Sequence, residues 1–236
     1  MIKAMVNSIF PEGTTTRMFV EILRHSPIYF VVAVWRSFIA SRLINRRFLP
    51  LSCVVFPGVS LAVHRHSSAT VSMRGRLIVR PFLAGQGQSR VLLSAQCLFQ
   101  LEGDFEIGQG VVLHVAAGAS LSLGGRDRSS ASGISADTIV MAERSLAIGR
   151  DVIVAWGCMI TDSDWHLIEG AERALPTVIG DDVWLAQGVS VLKGAQIPRG
   201  CIVGAGSVVG AREYPERCLI VGAPAVVKRE NVTWRR

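Results

Sequence analysis

Aliphatic residues recur at every sixth position over much of the C-terminal half of the chain. From Ile179 the sequence divides into IGDDVW, LAQGVS, VLKGAQ, IPRGCI and VGAGSV, followed by Val209. The first position of each six is aliphatic: Ile179, Leu185, Val191, Ile197, Val203 and Val209. The fifth is small or β-branched: Val183, Val189, Ala195, Cys201 and Ser207. The same phase appears upstream in IGRDVI, VAWGCM and ITDSDW, from Ile148, Val154 and Ile160. Weaker copies are read in ADTIVM and AERSLA from Ala136, and one in a different register in IGQGVV from Ile107. A period of six matches neither the amphipathic helix nor the alternating strand. It is the signature of a parallel β-helix. Three sixes close one triangular coil, and coils stack about 4.8 Å apart. Each first-position side chain is then expected to sit on its counterpart one coil away.

The phase breaks at LGGRDRSSASG (residues 123–133), which reads as a loop, and at DSDWHLIEGAERALPT (about residues 162–177). A loop expelled from a rigid solenoid is a place where function concentrates. Residues 51–104, with RGRLIVRPF and SRVLLSAQCLFQLEGDFEIG, read as irregular coils of the same solenoid. Residues 14–49 read as helical, with Ile28, Val31, Val32, Trp35, Phe38, Ile39 and Leu43 at helical spacing and Arg36, Arg42, Arg46 and Arg47 near them. The preferred reading packs this stripe on the first coil and covers its open edge. The alternative lays it on a membrane surface. The expected class is all-β: a parallel β-helix over 51–210, a helical segment over 1–50 and a basic tail over 211–236.

Composition narrows the picture. Of the 236 residues, 50% are hydrophobic and 18% charged, which excludes a disordered chain. Aromatic residues are scarce at 7% while glycines number 23, as suits a core of small and β-branched side chains. The net charge of +7 is uneven: residues 1–50 carry +5, 51–210 carry −1 and 211–236 carry +3. Basic ends around a neutral middle do not make the basic stripe with interleaved aromatics that nucleic acids require. They suit contact with phosphates or an anionic membrane at an end of the chain. The cysteines Cys53, Cys97, Cys158, Cys201 and Cys218 form no CxxC pair and no Cys/His metal spacing, so reduced thiols in a cytoplasmic protein and no metal are expected. The start MIKAMVNSIFPEG lacks the features of a signal peptide. The longest apolar run, Ile28–Trp35, is short of the roughly twenty residues of a spanning helix, so no crossing of a membrane is expected.

Together the hexads, the Asp-rich loop ITDSDWHLI, the segment IGDDVWLAQGVSVLKGAQIPRGCIVGAGSVV and the tail VGAPAVVKRE resemble the hexapeptide-repeat acyltransferases. The resemblance covers roughly residues 136–230, with weaker support back to about residue 70. Its nearest likeness is to the sugar O-acetyltransferases of capsule, exopolysaccharide and lipopolysaccharide synthesis. It implies a left-handed β-helix, a homotrimer with active sites between neighbouring subunits, acetyl-CoA as donor along the β-helix, and a saccharide acceptor. Any membrane contact would then be peripheral, at the cytoplasmic face or through a lipid-linked substrate.

Acyl transfer from a thioester to a hydroxyl needs a base for the hydroxyl proton and a donor for the developing oxyanion. Of His25, His64, His66, His114 and His166, only His166 lies in the expelled loop, and it matches the family's catalytic histidine. Asp162 and Asp164 orient that imidazole, bond a sugar, or form a solvated turn. Trp165 and Trp156 stack on a sugar face or pack. On the donor side, Ala186, Gly188, Gly204 and Ala205 are small enough for a pantetheine arm to approach the backbone. Alignment to the family places Gln187 and Ala205 on the cofactor, Pro224 near the adenine, and Arg229 with its neighbour Lys228 on the CoA phosphates. The lysine that the family carries just past the last hexad is missing, and Arg212 stands there instead as a further candidate for acetyl-CoA.

Other readings of the fold fit less well. A zinc carbonic anhydrase needs three histidines on adjacent coils, which the hexads lack. A nucleotidyltransferase needs a Gly-rich nucleotide domain ahead of the hexads, and the first 100 residues contain no GxGxxG. An antibiotic or amino-sugar acceptor, and a non-catalytic trimeric scaffold, remain as alternatives.

Overall fold

The structure is a computed structural model that describes residues 27–46, 51–82, 85–127 and 132–235. It is a left-handed parallel β-helix with one helix across its first coil. Coil one runs through Cys53–Val55, Leu61–Arg65 and Thr70–Met73, and coil two through Leu77–Val79, Ser89–Leu93 and Leu98–Leu101. Coil three holds Phe105–Ile107, Val112–Val115 and Ser120–Gly125, and coil four Gly133–Ile134, Ile139–Ala142 and Ser145–Arg150. Coil five holds Ile153–Val154, Met159–Thr161 and Thr177–Ile179, and coil six Trp184–Leu185, Ser190–Val191 and Gln196–Ile197. A seventh, Ile202–Val203 and Val208–Val209, leads to the antiparallel hairpin Leu219–Gly222 and Ala225–Arg229. The first, second and third strands of the coils stack into three sheets, the faces of a prism.

The predicted columns form. Ile148 pairs in register with Ile179 and Ile179 with Ile197 on the third face. Val154, Leu185 and Val203 align on the first face, and Ile160, Val191 and Val209 on the second. All nine side chains are buried, as are the fifth positions Val183, Val189, Ala195, Cys201 and Ser207. Every inward position of one coil therefore covers the position below it, which removes apolar surface from water along the whole axis.

Two register readings are corrected. The copies counted from Ala136 are out of phase, because Ile134 and Val140, not Ala136 and Ala142, pair with the column residues Val154 and Ile160. Extra residues at the turn before Ser145 restore the phase at Ile148. Ile107 belongs to the same column, pairing with Ile134. Its offset in the sequence is created by extra residues between Val115 and Ser120 and by the long connection between Gly125 and Gly133, of which residues 128–131 lie outside the described residues. The early coils look irregular because Phe56, Phe99 and Phe105 fill their interior, where the late coils use Val, Ile, Leu and Ala.

The helix occupies Pro27–Asn45 and touches all three strands of coil one. The expected helical residues 14–26 and 47–49 lie outside the described residues. The helix caps the coil, but with the opposite face from the one expected. Phe30, Ala33, Ser37, Ala40, Ser41 and Ile44 face inward and are buried. The predicted stripe points outward: Ile28, Val31, Val32, Trp35, Ile39 and Leu43 are 42–75% exposed, and only Phe38 of that set packs against the core. The reason is hydrogen bonding. The edge strand Cys53–Val55 has unpaired backbone groups, and serines one turn apart satisfy them. Ser41 Oγ accepts from Cys53 N at 3.0 Å and donates to the Cys53 carbonyl, and Ser37 Oγ accepts from Val55 N at 2.9 Å. A leucine or valine face would leave those groups orphaned under the helix.

Candidate active site

The expelled segment leaves the solenoid between Thr161 and Thr177, at the edge where the second face meets the third. Its stem is a short antiparallel ladder. Leu175 N donates to Asp162 O at 2.9 Å, Asp164 N to Arg173 O at 3.0 Å, and Ser163 bridges Ala174. Asp162 anchors the stem. It is fully buried, and its carboxylate accepts from the backbone N–H groups of Glu143, Arg144 and Ser145 at 2.7, 2.8 and 2.6 Å. The expectation that Asp162 orients an imidazole, bonds a sugar or forms a solvated turn is therefore corrected: both its oxygens hold the turn of the coil below. Asp164 is also engaged, with Lys193 of coil six at 2.5 Å. Arg173 pairs with Glu143, and Arg144 with Glu172 at 2.8 Å. The segment is thus fastened to the coils on both sides of it.

At its tip side, Trp165 takes the left-handed backbone conformation at φ +61°, with its N–H donated to Ser163 Oγ at 2.9 Å. Its ring lies on His114, with centroids 5.8 Å apart and planes 15° from parallel. His114 sits on Val112–Val115, two coils back on the second face. Burial of the His114 imidazole holds its pKa below the ordinary value. Trp165 Nε1 is buried and lacks a hydrogen-bond partner among the described residues. The adjoining His166 is exposed. So Trp165 clamps the segment onto the prism, and His166 projects from the clamp.

The predicted donor residues gather elsewhere. Ala186 and Gln187 lie between Trp184–Leu185 and Ser190–Val191, and Gly204 and Ala205 between Ile202–Val203 and Val208–Val209. Both turns are at the edge joining the first and second faces. The turns stack directly: Gly188 N donates to Trp156 O and Gly206 N to Gln187 O. Trp156 therefore belongs to this edge and not to the expelled segment, with Phe82 6.3 Å from its ring. Pro224 joins the same edge, since Gly222 N donates to Ser207 Oγ at the base of its turn. Lys228 and Arg229 are exposed and run back along the hairpin, where Arg229 pairs with Leu219 at the far end of the first face. Arg212 is exposed on the same edge as the expelled segment, where Ala211, Gly194 and Leu175 stack.

Within one chain, then, His166 and the donor edge stand on the two opposite borders of the second face, separated by roughly 15–20 Å, the length of five or six extended residues. Sequence reasoning missed His114, Glu143 and Lys193. The alternation in VLHV marks His114 as outward-facing, but nothing in the sequence reports a ring stacked on it from a segment two coils later.

The chain folds as a β-helix, and its C-terminal coils are built from six-residue repeats. Residues 176–211 match the family described as "Bacterial transferase hexapeptide (six repeats)". The chain is 34% identical over 108 residues to "Probable acetyltransferase Rv3034c" of Mycobacterium tuberculosis, covering 42% of this chain and 35% of that protein. It is 36% identical over 102 residues to the Escherichia coli protein named "Putative lipopolysaccharide biosynthesis O-acetyl transferase WbbJ", covering 37% of this chain and 52% of that one. The chain thus spans about half or less of the length of these relatives. Among solved structures it resembles the polysialic acid O-acetyltransferase OatWY, with a TM-score of 0.53 and 23% identity over 75% of this chain and 88% of that one, a likeness of fold.

Proposed function

We propose that the protein transfers an acetyl group from acetyl-CoA to a hydroxyl of a saccharide, with His166 as general base. The observation that carries this reading is the placement of His166. It is an exposed imidazole on a segment that the solenoid expels at one edge and then fastens through Asp162, Asp164, Arg173 and the Trp165–His114 stack. Rigid support of a projecting base is what general-base catalysis requires. The names of the relatives, acetyltransferase and lipopolysaccharide biosynthesis O-acetyl transferase, support the acyl chemistry and the saccharide acceptor.

In the proposed reaction His166 takes the proton of the acceptor hydroxyl as its oxygen bonds to the thioester carbonyl carbon. The tetrahedral intermediate collapses, the C–S bond breaks, and the imidazolium returns its proton to the departing CoA thiolate. The acetyl-CoA arm lies along Ala186, Gln187, Gly204 and Ala205, with Pro224 beside the adenine and Lys228 and Arg229 on the phosphates. Because His166 and that edge stand apart in one chain, the site is completed by a neighbouring subunit in a homotrimer, the expelled segment of one chain facing the donor edge of the next. Ile139 and Met159, neighbouring apolar side chains exposed on the second face, suit burial between subunits.

The test is acceptor-dependent thiol release from acetyl-CoA. His166→Ala is expected to lower the rate by about two to four orders of magnitude, with CoA affinity and oligomer mass unchanged. Retention of more than about a tenth of the activity would remove His166 from the role of base.

A further inference from the structure

The helix across coil one is apolar on both sides. Its inner face is spent on capping, yet its outer face carries Ile28, Val31, Val32, Trp35, Ile39 and Leu43, all exposed. A helix apolar all round is ordinarily covered all round, and a contiguous apolar patch of this kind marks a contact site. The charge around it is as one-sided as its surface. Between Glu21 and Glu102 the chain has no Asp or Glu and no Lys, but ten arginines. That stretch carries +10 of a net +7, so the remainder of the chain is −3.

Three of these arginines are neutralised by the next coil: Arg74 by Glu102, Arg76 by Asp104 and Arg80 by Glu106. Those nearest the helix are held differently. Arg36 donates to Val59 O, Arg46 to Ser67 O at 2.8 Å, and Arg65 to Ile44 O and Ala69 O at 2.6 and 2.8 Å. Backbone carbonyls fix these guanidinium groups at the rim of the helix without cancelling their charge. Burial, and after it the charge of the nearby Arg46, hold the Arg65 pKa below its ordinary value. The end of the molecule therefore presents an apolar ridge inside a basic rim.

We propose that this end docks on an anionic lipid bilayer, the ridge sinking between the acyl chains and the rim meeting lipid phosphates. Apolar burial combined with arginine–phosphate attraction is how surface-lying helices bind. The helix lies on the bilayer and does not cross it. Ile28–Asn45 is long and apolar enough to span by length and composition, but one third of that window is buried, and Ser37 and Ser41 are bonded to the edge strand of coil one. A second copy is a poorer occupant, since two such ends face to face would bring their basic rims together.

The experiment uses the full chain and vesicles of phosphatidylglycerol with phosphatidylcholine, against phosphatidylcholine alone. Sedimentation with the anionic vesicles at about 0.1 M salt is expected, and loss of most of it at about 0.5 M, where charges are screened. Trp35→Glu with Ile39→Glu replaces two exposed side chains, so its melting temperature is expected to stay near that of the parent while vesicle binding falls by at least about tenfold. Trp35 emission shifts to shorter wavelength on vesicle addition, and this part of the signal is absent in Trp35→Phe. The proposal is overturned by equal binding to neutral vesicles, by no sedimentation with anionic ones, or by an unshifted Trp35. It is equally overturned if the wild-type chain instead self-associates through this face, seen as a mass that falls in the double variant.

Discussion

Asp162 anchors the segment that carries His166 from a fully buried position. A fully buried carboxylate that accepts three backbone N–H groups cannot be removed without leaving those donors unpaired. Asp162→Ala is expected to cost about 2–4 kcal/mol in chemical denaturation. It should also lower the transfer rate by loosening the stem that carries His166. His114 gives a second test through pH. Burial lowers its folded-state pKa below the ordinary 6.5, so the unfolded chain takes up the proton first as pH falls. This stability contribution is whole above pH 6.5 and is lost as pH drops from there through the folded value. His114→Phe keeps an aromatic ring against Trp165 and removes the titration, so the fall in melting temperature between pH 7 and 5 is expected to be shallower than in the parent. The exposed position of His166 on an expelled segment was legible in the sequence because it sits where the repeat breaks. The roles of Asp162 and Trp165 were not, because their partners Glu143, Arg144, Ser145 and His114 lie on other coils.

The hexads were readable because a six-residue step stacks like on like, and one aliphatic position per strand is enough to reveal the column. Leu185, between Val154 and Val203, belongs to the most regular stretch. Leu185→Ala is expected to destabilise by about 2–5 kcal/mol, measured by denaturant unfolding, since adjacent coils cannot close the space. Between Ile107 and Ile148 the three columns persist, but connections of unequal length hide their phase, so counting sixes from Ala136 chose the wrong residues. The helix forms and caps the first coil as expected, but its buried face differs for another reason. Apolar spacing locates a buried face only when burial is what the partner demands, and an open β-edge demands hydrogen bonds. Ser37 and Ser41 meet that demand and turn Trp35 outward. At the other end, the exposed Arg229 carries the CoA-phosphate proposal. Arg229→Ala is expected to weaken CoA more than dephospho-CoA in calorimetry if the 3′-phosphate is its partner, because a charge-assisted bond is lost only where that phosphate exists. Equal losses would move the contact elsewhere.

At the scale of the molecule, the prism separates three features. One edge expels the segment with His166, another stacks the turns that hold Gln187, Gly188, Ala205 and Gly206, and the capped end carries the exposed ridge of Trp35. In the proposed homotrimer the first two are brought together by a neighbouring chain. Mixed assemblies test this most directly. His166→Ala removes the base, and Ala205→Trp, at an exposed position on the donor edge, blocks the acetyl-CoA arm. Each variant alone is expected to be inactive. Co-expressed and purified through two different tags, so that every trimer holds both chains, they should recover about a third of the wild-type activity per site, because one of the three interfaces in any mixed ring joins two intact edges. Mixed oligomers as inactive as either parent would contradict the account, since base and donor edge would then have to come from one chain.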